Sequence, residues 1–250
     1  MPAVATTDLM RMMGHIFPFT SLPWVLESCT SGFQKVTADQ FEAVNEHDRR
    51  KYRWKIIHYP HRIRLFWWYR DALMKDFRFR PDLVEYANSK LASVAGGRQV
   101  TFVAVHVRRT DYAKHLKGSN GHLVGAPFYH SAINLCRQRY SEPVFIVTSD
   151  DLKWCRENLS GTDIYLLGDP RSEFPGVERD LALLAACNHT IFDYGTYGFF
   201  AAFLAGGDMI LAEGYSEREH EIIEELREGN ITATYIDGNG TVLPKCARCR

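Results

Sequence analysis

Two adjacent arginines, Arg108 and Arg109, close the run Thr101-Phe-Val-Ala-Val-His-Val-Arg-Arg-Thr-Asp-Tyr112, in which an apolar stretch leads straight into charge. A guanidinium forks onto phosphate or carboxylate oxygens better than any other side chain, so the pair is a candidate anion clamp, above all for phosphate. His106 and Asp111 flank it, and Asp111 also offers the structural alternative, an internal carboxylate for one of the two arginines. A second polar cluster, Thr148-Ser-Asp-Asp151, and a third, Asp193-Tyr-Gly-Thr-Tyr-Gly198, likewise follow apolar runs. Asp150 and Asp151 suit hydrogen bonds from a base or ribose, with helix capping as the competing use. Gly195 and Gly198 bracket Thr196 and Tyr197 where an apolar helix opens, and the free N–H groups of a first helical turn suit a phosphate. No G-K-[ST] follows and no G-x-G-x-x-G is present, so this is neither a Walker loop nor a dinucleotide fingerprint.

The elements that must carry these clusters alternate between short apolar runs and helical periodicity from about residue 99 onward, the pattern of βαβ units on a parallel sheet. The pattern predicts strands over 100–107, 144–148, 164–167, 190–192, 209–212 and 232–236, with Ser149 or Asp150 capping the helix after the second. Intervening helices are predicted over 128–140, 152–159, 177–187, 199–205 and 217–228. In such an α/β sheet ligands bind beyond the strand carboxyl ends, where all three polar clusters fall. Residues 96–250 thus read as a doubly wound, nucleotide-binding domain. Residues 1–95 read as part of another, mainly helical domain, with helices over 63–77 and 83–91 and no convincing strand. The aromatic cluster Phe66-Trp-Trp-Tyr69 reads as core rather than as a binding surface.

Composition narrows the classes further. Lys plus Arg equals Asp plus Glu in this chain, so there is no global field to draw in nucleic acid, and a polyanion site must be local. The apolar stretch over 199–205 is far short of the roughly 20 residues that span a bilayer, and no signal peptide, anchor or transit segment is expected. Six cysteines are too scattered for a disulfide scaffold, and Cys246 with Cys249 supplies only half of a zinc site, so no metal is expected. Four of the eight asparagines, Asn158, Asn188, Asn230 and Asn239, open N-x-[ST] sequons, an excess that points to a secretory lumen. Asn188, between apolar segments, reads as buried; the other three are the glycosylation candidates.

The segments V-H-V-R-R-T-D-Y, V-T-S-D-D-L-K-W-C-R-E-N and D-L-A-L-L-A-A-C-N-H-T-I, the last followed by G-T-Y-G-F-F-A-A-F-L-A-G-G-D, resemble the three motifs of the galactoside α-1,2-fucosyltransferases, the blood-group H and secretor type. The likeness runs from about residue 12 to 212 and is weaker over 59–95. It implies a GT-B type fold of two Rossmann-like domains. It also implies transfer of L-fucose from GDP-fucose to the 2-hydroxyl of a terminal β-galactoside on a glycan, with inversion, without metal, in the Golgi lumen. By the same resemblance Arg108 and Arg109 hold the donor diphosphate, and His106 and Asp111 shape their loop. Asp150 stands at a nucleotide contact, and Thr196 with the amides after it, through Tyr197 and Gly198, touches the phosphates. The base for the acceptor hydroxyl stays open among Asp111, Asp193 and His58.

Two departures stand against the pattern. The family's early G-N-Q-type motif, stem and membrane anchor precede the region where this chain begins, so the chain is expected to be N-terminally truncated relative to the family. Its tail from Tyr215 also differs. A catalytically inactive sugar-nucleotide or glycan-binding relative is therefore a second reading, and a phosphate-binding Rossmann protein for some other nucleotide a third.

Overall fold

The structure, a computed structural model, describes residues 3–5, 7–21, 24–57, 62–118, 120–168, 176–216 and 221–244. The chain divides into two compact units, Met1–Arg80 and Pro81–Arg250. In the first, strands β1 (Ala3–Ala5) and β2 (Trp24–Leu26) form one parallel pair and β3 (Gln34–Val36) and β4 (Trp54–Ile56) another. The helices of this unit are α1 (Thr7–Ile16), α2 (Ala38–Ala43), α3 (Glu46–Lys51), α4 (Ile63–Phe66) and α5 (Arg70–Leu73). The expectation of no strand here is corrected: segments of three residues are too short to show a period of two. The helix predicted over 63–77 is broken by a 3-10 turn at Trp67–Tyr69. Trp68 and Tyr69 are 68% and 67% exposed, so half of the aromatic cluster read as core stands in solvent.

The second unit opens with α6 (Pro81–Ala95), which packs on α10 (Gly176–Ala185), so the division between units falls before this helix and not after it. Its strands are β5 (Thr101–Val107), β6 (Pro143–Ser149), β7 (Ile164–Leu166), β8 (His189–Phe192), β9 (Met209–Glu213) and β10 (Thr234–Asp237). They form one parallel sheet in the order β10-β9-β8-β5-β6-β7. Counted from β5, that is the doubly wound order in which the chain reverses direction between its first and fourth strands. The predicted strands all appear, shifted by at most two residues at their ends.

Both faces of the sheet are covered, which is why β5 and β6 read as unbroken apolar runs. Val103, Val105 and Val107 pack with Phe128, Tyr129, Ala132 and Ile133 of α8 (Ala126–Arg139). Alternation sends Ala104 and His106 to the other face, where α10 and α11 (Thr196–Ala205) lie. Among the described residues three more helices belong to the unit: α7 (Tyr112–Lys117), which sequence periodicity did not show, α9 (Leu152–Asn158) and α12 (Glu221–Glu228).

Candidate active site

The order β8-β5-β6 puts the three polar clusters side by side at the sheet's switch point. His106 is in register with Thr148 on one side and Phe192 on the other. Beyond Val107 the ladder ends, and two carboxylates take over its role. From β6, Asp150 accepts the N–H of Arg109 at 2.8 Å through Oδ1, and through Oδ2 the N–H and hydroxyl of Thr110 at 3.0 and 2.6 Å. From β8, Asp193 accepts the N–H of Arg108 at 2.8 Å. The arginine loop is therefore hung between carboxylates on its two neighbouring strands.

The side chains of the two arginines diverge. Arg109 lays its guanidinium 4.0 Å from the ring centre of Trp154, donates to the carbonyl of Val124 at 3.1 Å, and comes within 3.7 Å of Asp151. That pocket in the fold leaves the side chain 17% exposed. Arg108 instead donates through Nε and Nη2 to the two oxygens of Asp111, at 3.1 and 2.6 Å. This bidentate pair leaves Nη1 and one Nη2 hydrogen for another anion. The Arg108 hydrogen bond holds the exposed Asp111 carboxyl below the usual carboxylate range.

Arg108 borders a cavity of about 70 Å³, open to solvent, that also receives His106 from β5, Thr148, Ser149 and Asp150 from β6, Val177 and Asp180 from α10, and Tyr197 from α11. The Nδ1 of His106 and the hydroxyl of Thr148 are buried and have no hydrogen-bond partner among the described residues. Buried polar atoms left in this way are costly and are commonly completed by a bound group. Burial, reinforced by the Arg108 charge, lowers the His106 imidazole to about 4, so it is neutral at physiological pH. Gly195 caps α11 at φ +86, a conformation that favours glycine, and no side chain caps the helix's first N–H groups. At Gly198 a Cβ would stand 2.8 Å from Phe192 Cβ and 3.0 Å from His106 Nδ1, so only glycine lets α11 approach the strand this closely.

A family model described as Glycosyl transferase family 11 matches residues 11–231. The chain belongs to glycosyl transferase family 11. It is similar to galactoside alpha-(1,2)-fucosyltransferase 1 of Bos taurus, 38% identical over 172 residues that are 65% of this chain and 46% of the relative. Against the same enzyme of Leontopithecus chrysomelas it is 37% identical over 177 residues, 68% and 48% of the two chains, and against that of Mus musculus 36% over 180 residues, 69% and 47%. The chain thus spans about half the length of the curated relatives it matches. Among solved structures, that of NodZ alpha-1,6-fucosyltransferase soaked with GDP-fucose aligns at a TM-score of 0.38 and 12% identity, over 76% of this chain and 73% of that one.

In this family 11 chain the cavity brings together His106, Arg108, Asp150 and Tyr197 of the residues read from sequence. Gly195 and Gly198 place α11 beside it, and Thr196 is exposed at the helix start. Arg109 is not among the lining residues, and its side chain serves the packing of α9 against the loop. Asp150 borders the cavity, but all its resolved hydrogen bonds hold the backbone and hydroxyl of the arginine loop. Asp151, and neither Ser149 nor Asp150, caps α9 by accepting the N–H of Trp154 at 3.0 Å. Of the open bases, Asp193 is 1% exposed and accepts three hydrogen bonds, which removes it from the reach of an acceptor; His58 lies outside the described residues.

Asp180 is a polar lining residue absent from the sequence candidates, although it opens the third motif; it stands on the helix whose apolar face was read, and a carboxylate beside a strand-end crevice was the signal available. Thr148, the first residue of the second polar cluster, is marked further by a buried hydroxyl with no partner among the described residues. Asn188 was expected to be buried; it is exposed, and its side-chain oxygen accepts the N–H of Phe102 at 2.9 Å. Among the described residues no group of three or more His, Cys, Asp or Glu is placed to hold a metal ion, and no helix is long and apolar enough to cross a membrane. Cys246 and Cys249 lie outside the described residues.

Proposed function

We propose that this chain transfers L-fucose from GDP-fucose to the 2-hydroxyl of a terminal β-galactoside on a glycan, with inversion and without a metal ion. The observation that carries the reading is Arg108, oriented by Asp111 at the mouth of the switch-point cavity of a family 11 fold. As the glycosidic bond breaks, negative charge develops on the departing diphosphate. A fixed guanidinium and the first N–H groups of α11 stabilise that charge without reorganising. The polar atoms of His106 and Thr148 and the carboxylate of Asp180 supply partners for the donor's nucleoside at the cavity.

The second unit would then be the nucleotide-binding half of a GT-B architecture, and the first would belong to the acceptor half. Inverting displacement needs a base for the attacking hydroxyl. Asp111 is exposed on the arginine loop, but its bond to Arg108 makes it a weak base, so its service here is to orient Arg108. The relatives' galactoside activity and the sequons support a Golgi luminal setting. Asn230 and Asn239 are exposed, whereas Asn158 is half-buried and its side-chain nitrogen donates to the carbonyl of Trp154 at 2.9 Å, so glycosylation favours the first two.

The test is calorimetric titration of the chain with GDP, GDP-fucose and ADP in chelator, followed by assay of fucose transfer to a β-galactoside and linkage analysis of the product. Micromolar GDP binding with α-1,2 product supports the reading. Binding without transfer would make the chain a sugar-nucleotide binding relative, and equal binding of ADP would deny the donor its specificity.

A further inference from the structure

We propose that the consecutive pair Asp193–Tyr194 is a positioning device for Arg108, holding both polar atoms of that residue's backbone and so fixing the direction in which its guanidinium leaves the loop. The inference rests on Arg108 being the phosphate-facing group.

Arg108 is the first residue beyond β5, and the pairing of β5 with β8 ends at His106 and Phe192. Its N–H and C=O are therefore outside the sheet ladder and need other partners. The two residues that follow β8 provide both. Asp193 Oδ2 accepts the Arg108 N–H at 2.8 Å, and the Tyr194 hydroxyl donates to the Arg108 carbonyl at 3.0 Å. Holding one peptide atom leaves a residue free to pivot about the other, whereas holding both fixes its Cα–Cβ direction.

The device is itself braced. Asp193 Oδ1 accepts the N–H of Tyr194 at 2.8 Å, and Oδ2 accepts the hydroxyl of Tyr129, from α8, also at 2.8 Å. The Tyr194 ring stacks on Tyr112 at 4.1 Å and 12°, on the helix that continues from the arginine loop. Asp193, Tyr194 and Tyr129 are 1%, 2% and 0% exposed. A carboxylate this deep is expensive to desolvate, and burial pushes Asp193 up to about 7 despite its hydrogen bonds. Its three hydrogen bonds offset part of that cost. Positioning adds a further use, because a displacement of about 1 Å at a reacting phosphate is worth on the order of a hundredfold in rate.

The experiment compares the full chain with Tyr194→Phe, Arg108→Ala and the double variant Tyr194→Phe/Arg108→Ala. Tyr194→Phe keeps the stack on Tyr112 and loses only the bond to the Arg108 carbonyl. It is expected to weaken GDP binding by about tenfold through the looser guanidinium, with a fall in melting temperature of only a few degrees. In the Arg108→Ala background the same change should weaken GDP no further, because the device acts through that side chain. An equal loss in both backgrounds would show a general structural effect and overturn the proposal. Amide hydrogen exchange at Arg108, followed by NMR, is read in parallel and needs no nucleotide. If the parent chain binds no GDP, the fucosyltransferase reading fails, and unchanged Arg108 exchange in Tyr194→Phe, which leaves the acceptor of that N–H in place, would overturn the positioning device separately. Acceleration of about tenfold or more in Tyr194→Phe would uphold it.

Discussion

Arg109 sets its guanidinium over the Trp154 indole at 4.0 Å, and this contact divides the labour of two arginines that are neighbours in the chain. Arg109 faces into the fold and Arg108 into the cavity. Arg109→Ala is therefore expected to cost about 2 to 3 kcal/mol of stability, from a cation–π contact and a charged hydrogen bond. The folded fraction should still bind GDP, measured by calorimetry well below the melting point. Loss of GDP binding with unchanged stability would reverse the assignment.

Arg108→Lys keeps the charge and loses the fork onto Asp111. The expected outcome is a fall in turnover equivalent to about 3 kcal/mol in the barrier, the scale of one lost oxyanion donor, with thermal stability within a few degrees of the parent. Steady-state transfer kinetics check it, and parent-like turnover would remove Arg108 from the site.

Gly198→Ala forces a methyl group against Phe192 Cβ at 2.8 Å and His106 Nδ1 at 3.0 Å. Neither neighbour is the loose end of a flexible chain, so α11 must shift outward. Thermal unfolding should show a loss of about 1 to 3 kcal/mol, typical of overpacking.

Stability should depend on pH through Asp193 with a definite sign. Its folded pKa, about 7, lies above its ordinary 3.8, so the folded state holds the proton more tightly than the unfolded chain. The contribution is full below about pH 4 and is lost as pH rises through 7. The groups that face it are His106 and Arg108 from β5 and its loop, Tyr112 from α7, Tyr129 from α8, and Tyr194 and Tyr215 beside it. His106, lowered from 6.5 to about 4, contributes with the opposite sign: its share is full above 6.5 and is lost as pH falls through 4. Denaturant unfolding of the parent and of Asp193→Asn across pH 4 to 8 separates the two. The stability of the parent relative to the variant should decline from pH 4 to 7 and then level off; a difference independent of pH would refute the assignment.

Asp180 lines the cavity with an acceptor-only carboxylate, which matches the two adjacent N–H donors of guanine better than the single amino donor of adenine. Asp180→Asn should reduce the preference for GDP over ADP by about tenfold, read from paired calorimetric affinities. An unchanged ratio would place the base elsewhere.

Much of this was written in the chain as it stands. The unbroken apolar run into Arg108 required a strand covered on both faces, and β5 is one; Gly195 and Gly198 marked a helix start, and the structure adds that Gly198 leaves no room for a side chain. Periodicity failed where elements were too short to display it, in the three-residue strands of the first unit and the six residues of α7. Residue type and spacing thus determined that three polar clusters would gather at strand ends and which residues would stand there. Only the tertiary structure decided how those residues are used, because that depends on groups distant in sequence. The order β8-β5-β6 brings Asp150 and Asp193 to opposite sides of one loop, and Trp154 and Val124 draw Arg109 inward while Asp111 leaves Arg108 facing the cavity. A local sequence cannot distinguish two adjacent arginines with the same chemistry; the packing around each of them does.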